Sequence, residues 1–272
     1  MSSEAFVQPR EFLEESDALY ALLSARPEAQ LALATQFKAW SIEDVIAHLH
    51  LFNLAAAMSI RDPGRLRTFF GELSRAREGG PTLREVTLER LTPLRGRALL
   101  EQWRRDCEEI ARDFEGVDPR TRLPWGGPDM SARSSISARL METWAHGQAV
   151  FDRLGAVRVD ADRIRNVAVL GVNTFAWTFR NRALEVPTSA PRVLLEAPSG
   201  ARWEWNPELE SALVEGSAAE FCQVVTQTRA WQDTSLRVVG DVARSWMSIA
   251  QCFAGPPEDP PVSGTRHRVR PV

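Results

Sequence analysis

Glu142 and His146 stand four residues apart in a segment whose apolar residues recur at helical spacing. Side chains four apart on a helix share one face, so both could bind the same metal ion. Leu140, Trp144 and Phe151 lie within a turn or so of the pair, which places it on or beside the apolar side of the helix. A buried carboxylate and imidazole need a partner, and a metal satisfies both. The alternative is a solvated surface ion pair.

His48 is the candidate third ligand, because it lies inside the apolar segment 45–49 of another predicted helix. A lone histidine in such a segment is alternatively a hydrogen-bonded core residue. His50 follows at a rotation of about 200° and is predicted to face solvent. Asp44, one turn before His48, could orient the imidazole or belong to the helix cap. Two imidazoles and one carboxylate leave a divalent ion with an open position, the pattern of a catalytic zinc site.

The composition is that of a globular protein long enough for two domains. The chain has 272 residues, of which 44% are hydrophobic, and its 33 basic and 36 acidic side chains give a net charge of −3. This charge does not favour nucleic acid as a partner. The three cysteines are odd in number and lack C-x-x-C spacing, so we expect reduced, buried thiols. A signal peptide and a membrane span are not recognisable, which predicts a cytoplasmic protein without membrane partners.

Four long helices are predicted in the first half of the chain. Pro9 suits an early helical position, and Ser41 with Asp44 forms a capping-box pattern at the start of the second helix. Apolar stripes extend the four helices over about residues 9–24, 41–61, 97–114 and 131–154, with shorter helices expected between residues 65 and 95. Four long antiparallel helices form a bundle, which we assign to residues 1–158.

The second half is predicted to be a small α+β domain over residues 159–254. A linking helix is expected over 162–184, and Pro-Ser-Gly at 198–200 between two alternating segments predicts a hairpin. Ser217 and Glu220 repeat the capping-box pattern before another helix. Further strands are expected near residues 213 and 236–239, and a last helix over 242–253. Residues 255–272 are rich in proline and basic residues and are predicted to form a flexible tail.

The segments WSIEDVIAHL (40–49) and RLMETWAHG (139–147) resemble the two metal motifs of the mycothiol-dependent maleylpyruvate isomerase family, within the DinB-like superfamily. The resemblance implies a DinB-like four-helix bundle whose metal, usually zinc, is bound by His48, Glu142 and His146. The segments GSAAEFC (216–222) and WMSIAQ (246–251) resemble an uncharacterised metal-binding branch of the family, with a sterol-carrier-like C-terminal domain. The catalytic arginine of the isomerase has no unambiguous match, and Arg229 is the candidate beside its interpretation as a surface residue.

Three functional interpretations remain open at this point. In the first, a metal-dependent enzyme uses mycothiol or another low-molecular-weight thiol for isomerisation or thiol transfer on an activated small molecule. In the second, a metal-hydroxide hydrolase or hydratase activates water. In the third, the protein is not an enzyme: the second domain binds an acyl or lipid-like ligand and the metal staples the bundle. We expect a small-molecule ligand and a monomer or homodimer in each case.

Overall fold

The structure is a computed structural model that describes residues 5–209 and 211–270. The chain divides into two compact units, Met1–Gly147 and Gln148–Val272. The dividing point lies inside the helix Ala132–Arg153, whereas the sequence put the first boundary at residue 158. Among the described residues, no helix combines the length and the apolar character that crossing a bilayer requires.

The first unit is helical. Its helices are α1 (Gln8–Ser24), α2 (Ile42–Arg61), α3 (Pro63–Arg77), α4 (Leu83–Leu91), α5 (Gly96–Glu115) and α6 (Ala132–Arg153). Helix α5 packs against both α1 and α2, and α2 also contacts α3 and α4. Two short antiparallel strands, β1 (Arg122–Leu123) and β2 (Met130–Ser131), precede α6. The four predicted long helices are therefore confirmed as elements, and α3 and α4 are added; their arrangement as a four-helix bundle stays a prediction.

Local sequence explains where α2 begins and which face of α5 is buried. The Ser41 side chain accepts a hydrogen bond from the Asp44 backbone N–H, and the Asp44 carboxylate accepts one from Ser41 N–H, so the predicted capping box is confirmed. The apolar stripe predicted on α5 is buried throughout, with Leu99, Leu100, Trp103, Cys107, Ile110 and Phe114 in the core. This stripe gives α5 one continuous face for packing.

The second unit is a four-stranded sheet with short helices. The strands are β3 (Arg192–Glu196), β4 (Arg202–Trp205), β5 (Leu213–Ser217) and β6 (Arg237–Val239), and their order in the sheet is β4-β3-β5-β6. β3 and β4 form the predicted antiparallel hairpin, β3 and β5 are parallel, and β5 and β6 are antiparallel. The helices of this unit are α7 (Arg165–Asn173), α8 (Phe175–Asn181), α9 (Ala218–Val225) and α10 (Asp241–Met247).

The predicted linking helix over 162–184 is wrong in its continuity. A 3-10 turn covers Asp162–Ile164, and the helix then breaks at Thr174 between α7 and α8. The Thr174 hydroxyl donates to the carbonyl oxygens of Leu170 and Gly171 at 2.8 and 3.0 Å. Such bonds from a threonine back to the preceding turn compete with the helical ladder and bend helices.

The prediction of a second capping box is also wrong, although the helix predicted after it is present as α9. Ser217 is the N-cap of α9, but its side chain makes no capping hydrogen bond. Glu220 instead accepts hydrogen bonds from the backbone N–H and the hydroxyl of Ser235, at 3.1 and 2.7 Å. A tertiary partner therefore takes the carboxylate that the pattern assigned to the cap.

The last helix is shorter than predicted. The C-terminal segment that follows it makes an ion pair and a backbone hydrogen bond with other parts of the second unit. α10 ends at Met247, after which Cys252 N–H donates to the Val225 carbonyl at 2.9 Å. Within the tail, Asp259 pairs with Arg182 at 2.8 Å, and Val269 N–H donates to the Asp152 carbonyl at 2.9 Å. The described part of the segment 255–272 therefore makes specific contacts within the second unit.

Candidate metal centre

The three predicted ligands lie together in the first unit. His48 is on α2, and Glu142 and His146 are one turn apart on α6. Glu142 Oε2 lies 3.4 Å from His48 Nε2 and 3.3 Å from His146 Nε2. The side chains are 11%, 23% and 13% exposed for His48, Glu142 and His146, so the cluster is largely shielded from solvent.

These distances agree with metal ligation. A tetrahedral zinc ion with ligands at about 2.0–2.1 Å requires neighbouring donor atoms to be about 3.4 Å apart. Both distances from Glu142 Oε2 match that value, and the three donor atoms all lie within 4.8 Å of one another. Imidazole and carboxylate donors suit several divalent transition metals. The donor set and its spacing therefore fit a divalent metal.

Electrostatics prepares the same residues for ligation. Burial lowers the pKa of His48 to about 4, although the contact with Glu142 opposes the shift. Burial raises the pKa of Glu142, but hydrogen bonds with His146 and His48 outweigh that effect and hold this pKa well below its usual range. At neutral pH Glu142 is then ionised and His48 is neutral. Metal ligands must be in these protonation states.

Aromatic rings surround the two imidazoles. Trp40 contacts both His48 and His146, with ring centroids 5.5 and 6.2 Å apart. Phe37 lies edge-on to His146 at 4.9 Å, and Phe52 lies 4.9 Å from His48. These rings give the site an apolar wall on the side of α2 and of the segment that precedes it.

The predictions for the two neighbours of His48 have different outcomes. His50 was predicted to face solvent, but it is 3% exposed and its Nδ1 lies 3.4 Å from Asp106 Oδ2 on α5. The prediction failed because α2 is covered by α5 as well as by α3 and α4. Asp44 belongs to the helix cap and also accepts a hydrogen bond from Arg84 Nε at 2.7 Å. Asp44 therefore makes no hydrogen bond to the His48 imidazole, whose Nδ1 has no partner among the described residues.

Sequence reasoning missed the buried polar network behind the ligands. Arg139 is 3% exposed; its Nε donates to Asn53 Oδ1 at 3.0 Å, and one terminal nitrogen donates to the Leu49 carbonyl at 3.4 Å. Asn53 in turn donates to Cys107 Sγ at 3.3 Å. Arg139 precedes Glu142 by three residues on α6, so helical spacing could have placed this cation beside the carboxylate. The network ties α6 to α2 and α5.

Arg229, the candidate catalytic residue, lies in the second unit with a partner there. Its terminal nitrogens lie 2.7 and 2.6 Å from the two carboxylate oxygens of Asp152. The side chains of Arg229 and Asp152 are 12% and 5% exposed, so the pair is largely buried, and it is bidentate. Gln148 donates to the same carboxylate at 3.0 Å. A surface location is therefore wrong for Arg229, and a catalytic role stays a prediction.

Comparison with known proteins identifies the family. Residues 12–151 match the model of the mycothiol maleylpyruvate isomerase N-terminal domain, a span that covers about half of the chain and holds all three candidate ligands. The chain therefore belongs to the mycothiol-dependent maleylpyruvate isomerase family, as the two motifs predicted.

Individual relatives extend the match over both units. Two proteins of Mycobacterium tuberculosis, from strains CDC 1551 and H37Rv and both described as uncharacterized, are each 37% identical over 244 residues, which is 89% of this chain and 93% of theirs. The crystal structure of the mycothiol-dependent maleylpyruvate isomerase has a TM-score of 0.51 at 16% identity and covers 80% of this chain and 86% of that one. A histidine-to-alanine mutant of that enzyme matches with the same TM-score at 15% identity. The two-unit α+β fold is thus similar to that of the isomerase, while the sterol-carrier resemblance of the C-terminal half stays a prediction.

Proposed function

We propose that this protein is a divalent-metal-dependent enzyme that uses a low-molecular-weight thiol for isomerisation or thiol transfer on an activated small molecule. The observation that carries the proposal is the cluster of His48, Glu142 and His146, whose donor atoms have the spacing of a metal site. Family membership supports the thiol as the second reactant. Zinc is the first metal to test, because it commonly takes two imidazoles and one carboxylate in catalytic sites.

Each ligand residue has a defined part in this proposal. His48 and His146 would bind the metal through Nε2, and Glu142 would bind it through Oε2 and supply the one negative charge. A bound divalent metal would favour the deprotonated, nucleophilic form of a thiol near neutral pH. The aromatic rings of Phe37, Trp40 and Phe52 would restrict access of water on their side of the site.

The thiol would act as a reversible nucleophile. It would add to an activated double bond, and its loss after rotation about the resulting single bond would return the isomer and the free thiol. If the carbon–sulfur bond persists, the same site would be a thiol transferase. The names of the structural relatives give mycothiol as their thiol, so mycothiol is the first candidate for this chain and glutathione is the comparison.

The chain's own cysteines are not suited to act as the thiol nucleophile. Cys107, Cys222 and Cys252 are all buried, and burial raises the pKa of Cys107 to about 12 and that of Cys222 well above its usual value. A thiolate is the reactive form, so a buried thiol with a raised pKa is inert at neutral pH. The proposed reaction therefore needs a thiol from solution.

The water-activating alternative has less support in the site. It would gain from a carboxylate able to accept a proton from water. Asp44, one turn before His48, is instead engaged by Ser41 N–H and Arg84. Glu142 contacts both imidazoles and is the candidate ligand itself.

The groove that the structure shows in the second unit does not favour the acyl-binding alternative. A groove of about 320 Å³ in the second unit is lined in part by Asp160 and Glu196. Carboxylates are costly to bury against an acyl chain. A loss of turnover on metal removal, with folding retained, would exclude the interpretation in which the metal only staples the helices.

Spectroscopy of cobalt-substituted protein tests the thiol proposal. Titration with mycothiol, and separately with glutathione, should produce a sulfur-to-cobalt charge-transfer band. His146→Ala should abolish the band, whereas His267→Ala, an exposed histidine of the second unit, should retain it. If neither thiol changes the cobalt spectrum while a hydrolysable substrate turns over, the water-activating alternative replaces the proposal.

A further inference from the structure

A tight turn delivers two of the aromatic rings to the imidazoles. Trp40 N–H donates to the Phe37 carbonyl at 2.9 Å, and the two residues between them, Lys38 and Ala39, have φ angles of 50° and 55°. Two successive residues with positive φ are typical of a type I′ turn, in which glycine and asparagine are preferred. We call Phe37–Trp40 the aromatic turn. The chain holds a disfavoured backbone conformation at this point.

The flanking backbone fixes the turn in place. Thr35 N–H donates to the Trp40 carbonyl at 2.7 Å, and Ile42 N–H donates to the Leu33 carbonyl at 3.1 Å. The turn leads directly into the Ser41 cap of α2, the helix that carries His48. Strained backbone persists only where the surrounding structure over-determines it, and it concentrates at functional sites.

Trp40 makes ring contacts with both nitrogen ligands. Its indole is parallel to the His146 ring within 3°, with centroids 6.2 Å apart, and it meets the His48 ring at 63° and 5.5 Å. Phe37 adds an edge contact to His146 at 4.9 Å and 84°. One side chain thus contacts two imidazoles that come from different helices.

In the described part of the chain, no protein group supplies the hydrogen bond that usually orients a metal-binding histidine at His48. Such a residue normally donates its second ring N–H to a carboxylate, a backbone carbonyl or water. His48 Nδ1 is buried and has no hydrogen-bond partner in the described part of the chain. Ring packing by Trp40 and Phe52 is then the observed interaction that can hold the His48 imidazole in its ligating orientation.

We propose that Trp40 is a positioning residue of the metal centre: its indole holds the His48 and His146 imidazoles, and at His48 it does so without a protein hydrogen bond to Nδ1. The inference rests on the proposed function, because it takes these histidines as ligands. It goes further by assigning the ligand geometry to a ring outside the donor set and to the aromatic turn that presents it.

Variants of Trp40 and a matched control test this role. Trp40→Ala removes the ring and Trp40→Phe keeps a smaller one. Trp125→Ala is the control, since Trp125 is also half-buried in the first unit but packs on Phe70, with centroids 5.3 Å apart. Cobalt affinity is measured by competition with a chelator, the ligand field by the visible absorption of the bound cobalt, and folding by circular dichroism.

Loss of an outer partner of a metal ligand typically weakens metal affinity by about 10–100-fold. We expect Trp40→Ala to lose at least about tenfold and to shift the cobalt bands, Trp40→Phe to recover part of both, and Trp125→Ala to match the wild type. Trp40 variants that fold and bind cobalt with wild-type affinity and spectrum would overturn the inference. An equal loss in Trp125→Ala would assign the effect to general packing and overturn it as well.

A metal-free measurement separates this inference from the proposed function. Imidazole nitrogen NMR of the apo protein should show one fixed environment for His48 and for His146 in the wild type, and motional averaging in Trp40→Ala. If the wild type binds neither cobalt nor zinc, the metal proposal fails, and the NMR comparison still decides whether Trp40 restrains the rings. Unchanged imidazole signals in Trp40→Ala would contradict the positioning role.

Discussion

Replacement of Arg229 by Met separates a structural from a catalytic role for this guanidinium. Both of its terminal nitrogens bind Asp152, at 2.6 and 2.7 Å, and one also donates to the Thr228 carbonyl at 2.8 Å. The two side chains are 12% and 5% exposed. Removing the cation therefore leaves the Asp152 carboxylate buried with its main partner lost.

The magnitude follows from that burial. Breaking a buried ion pair by removing one partner costs about 3–5 kcal/mol, because the remaining charge is uncompensated. For a unit of this size that loss corresponds to a fall in Tm on the order of 10–20 °C. A matched exposed pair gives the comparison: Arg237 and Glu215 lie 2.8 Å apart but are 62% and 37% exposed. Arg237→Met should cost no more than about 1 kcal/mol.

Urea unfolding measures these free energies directly. Arg229→Met, Asp152→Leu and the double variant are followed by circular dichroism and tryptophan fluorescence, and the free energies are extrapolated to water. The double variant should be less destabilised than the sum of the single variants, since it leaves neither charge unpaired. Metal content should be unchanged in all of them below their unfolding temperatures.

The opposite pattern would refute the structural role. If Arg229→Met unfolds within about 1 kcal/mol of the wild type and still binds metal, but loses turnover, the guanidinium is a catalytic group and the bidentate contact is incidental. Arg229→Lys separates the charge of the guanidinium from its two parallel hydrogen bonds, because lysine keeps the charge but cannot form those bonds.

Three further predictions concern the ligands, the thiols and the aromatic turn. The candidate donors are His48, Glu142 and His146. Alanine at any one of them should lower the metal content sharply in elemental analysis, whereas His267→Ala should not. Unchanged metal content in all three variants would contradict the site. The native protein should resist Ellman's reagent at about pH 8, because its thiols are buried and burial raises the pKa of Cys107 to about 12. All thiols should react once the chain is unfolded. Fast labelling of the folded chain would contradict the assigned burial. Ala39→Gly should raise the free energy of unfolding by roughly 1 kcal/mol, since glycine adopts the φ of 55° without a steric penalty, and a lower Tm would show that the turn is not strained.

The sequence could place two of the candidate ligands together because helical spacing is a local property. Glu142 and His146 had to share a face at four residues apart, whatever surrounded α6. The start of α2 was equally local, since the reciprocal bonds of Ser41 and Asp44 involve neighbouring residues. The apolar setting of His48 made it a candidate, but spacing along one helix says nothing about another, so its pairing with these residues was supported by the family motifs.

The errors arose where a distant part of the chain decided the outcome. His50 faced away from the ligands as its rotation required, yet that side of α2 is covered by α5 and leads to Asp106. Glu220 matched a capping box, but Ser235 took its carboxylate. Arg229 had no sequence neighbour that could indicate its buried partner Asp152. His50 and Glu220 were assigned from local pattern, and each lies against a side chain from a distant part of the chain.

Charge balance at the ligand cluster connects the site to the proposed thiol chemistry. One carboxylate and two neutral imidazoles would leave a bound divalent ion with a net positive charge, and such a charge favours an anionic ligand at the open position. A thiol with a pKa near 8.5 ionises far more readily than water, so less stabilisation is needed to make it anionic. The three cysteine thiols of the chain are all buried and therefore not available as the reacting thiol. An external thiol is therefore the reactant that we expect for a site with a bound divalent ion and buried cysteines.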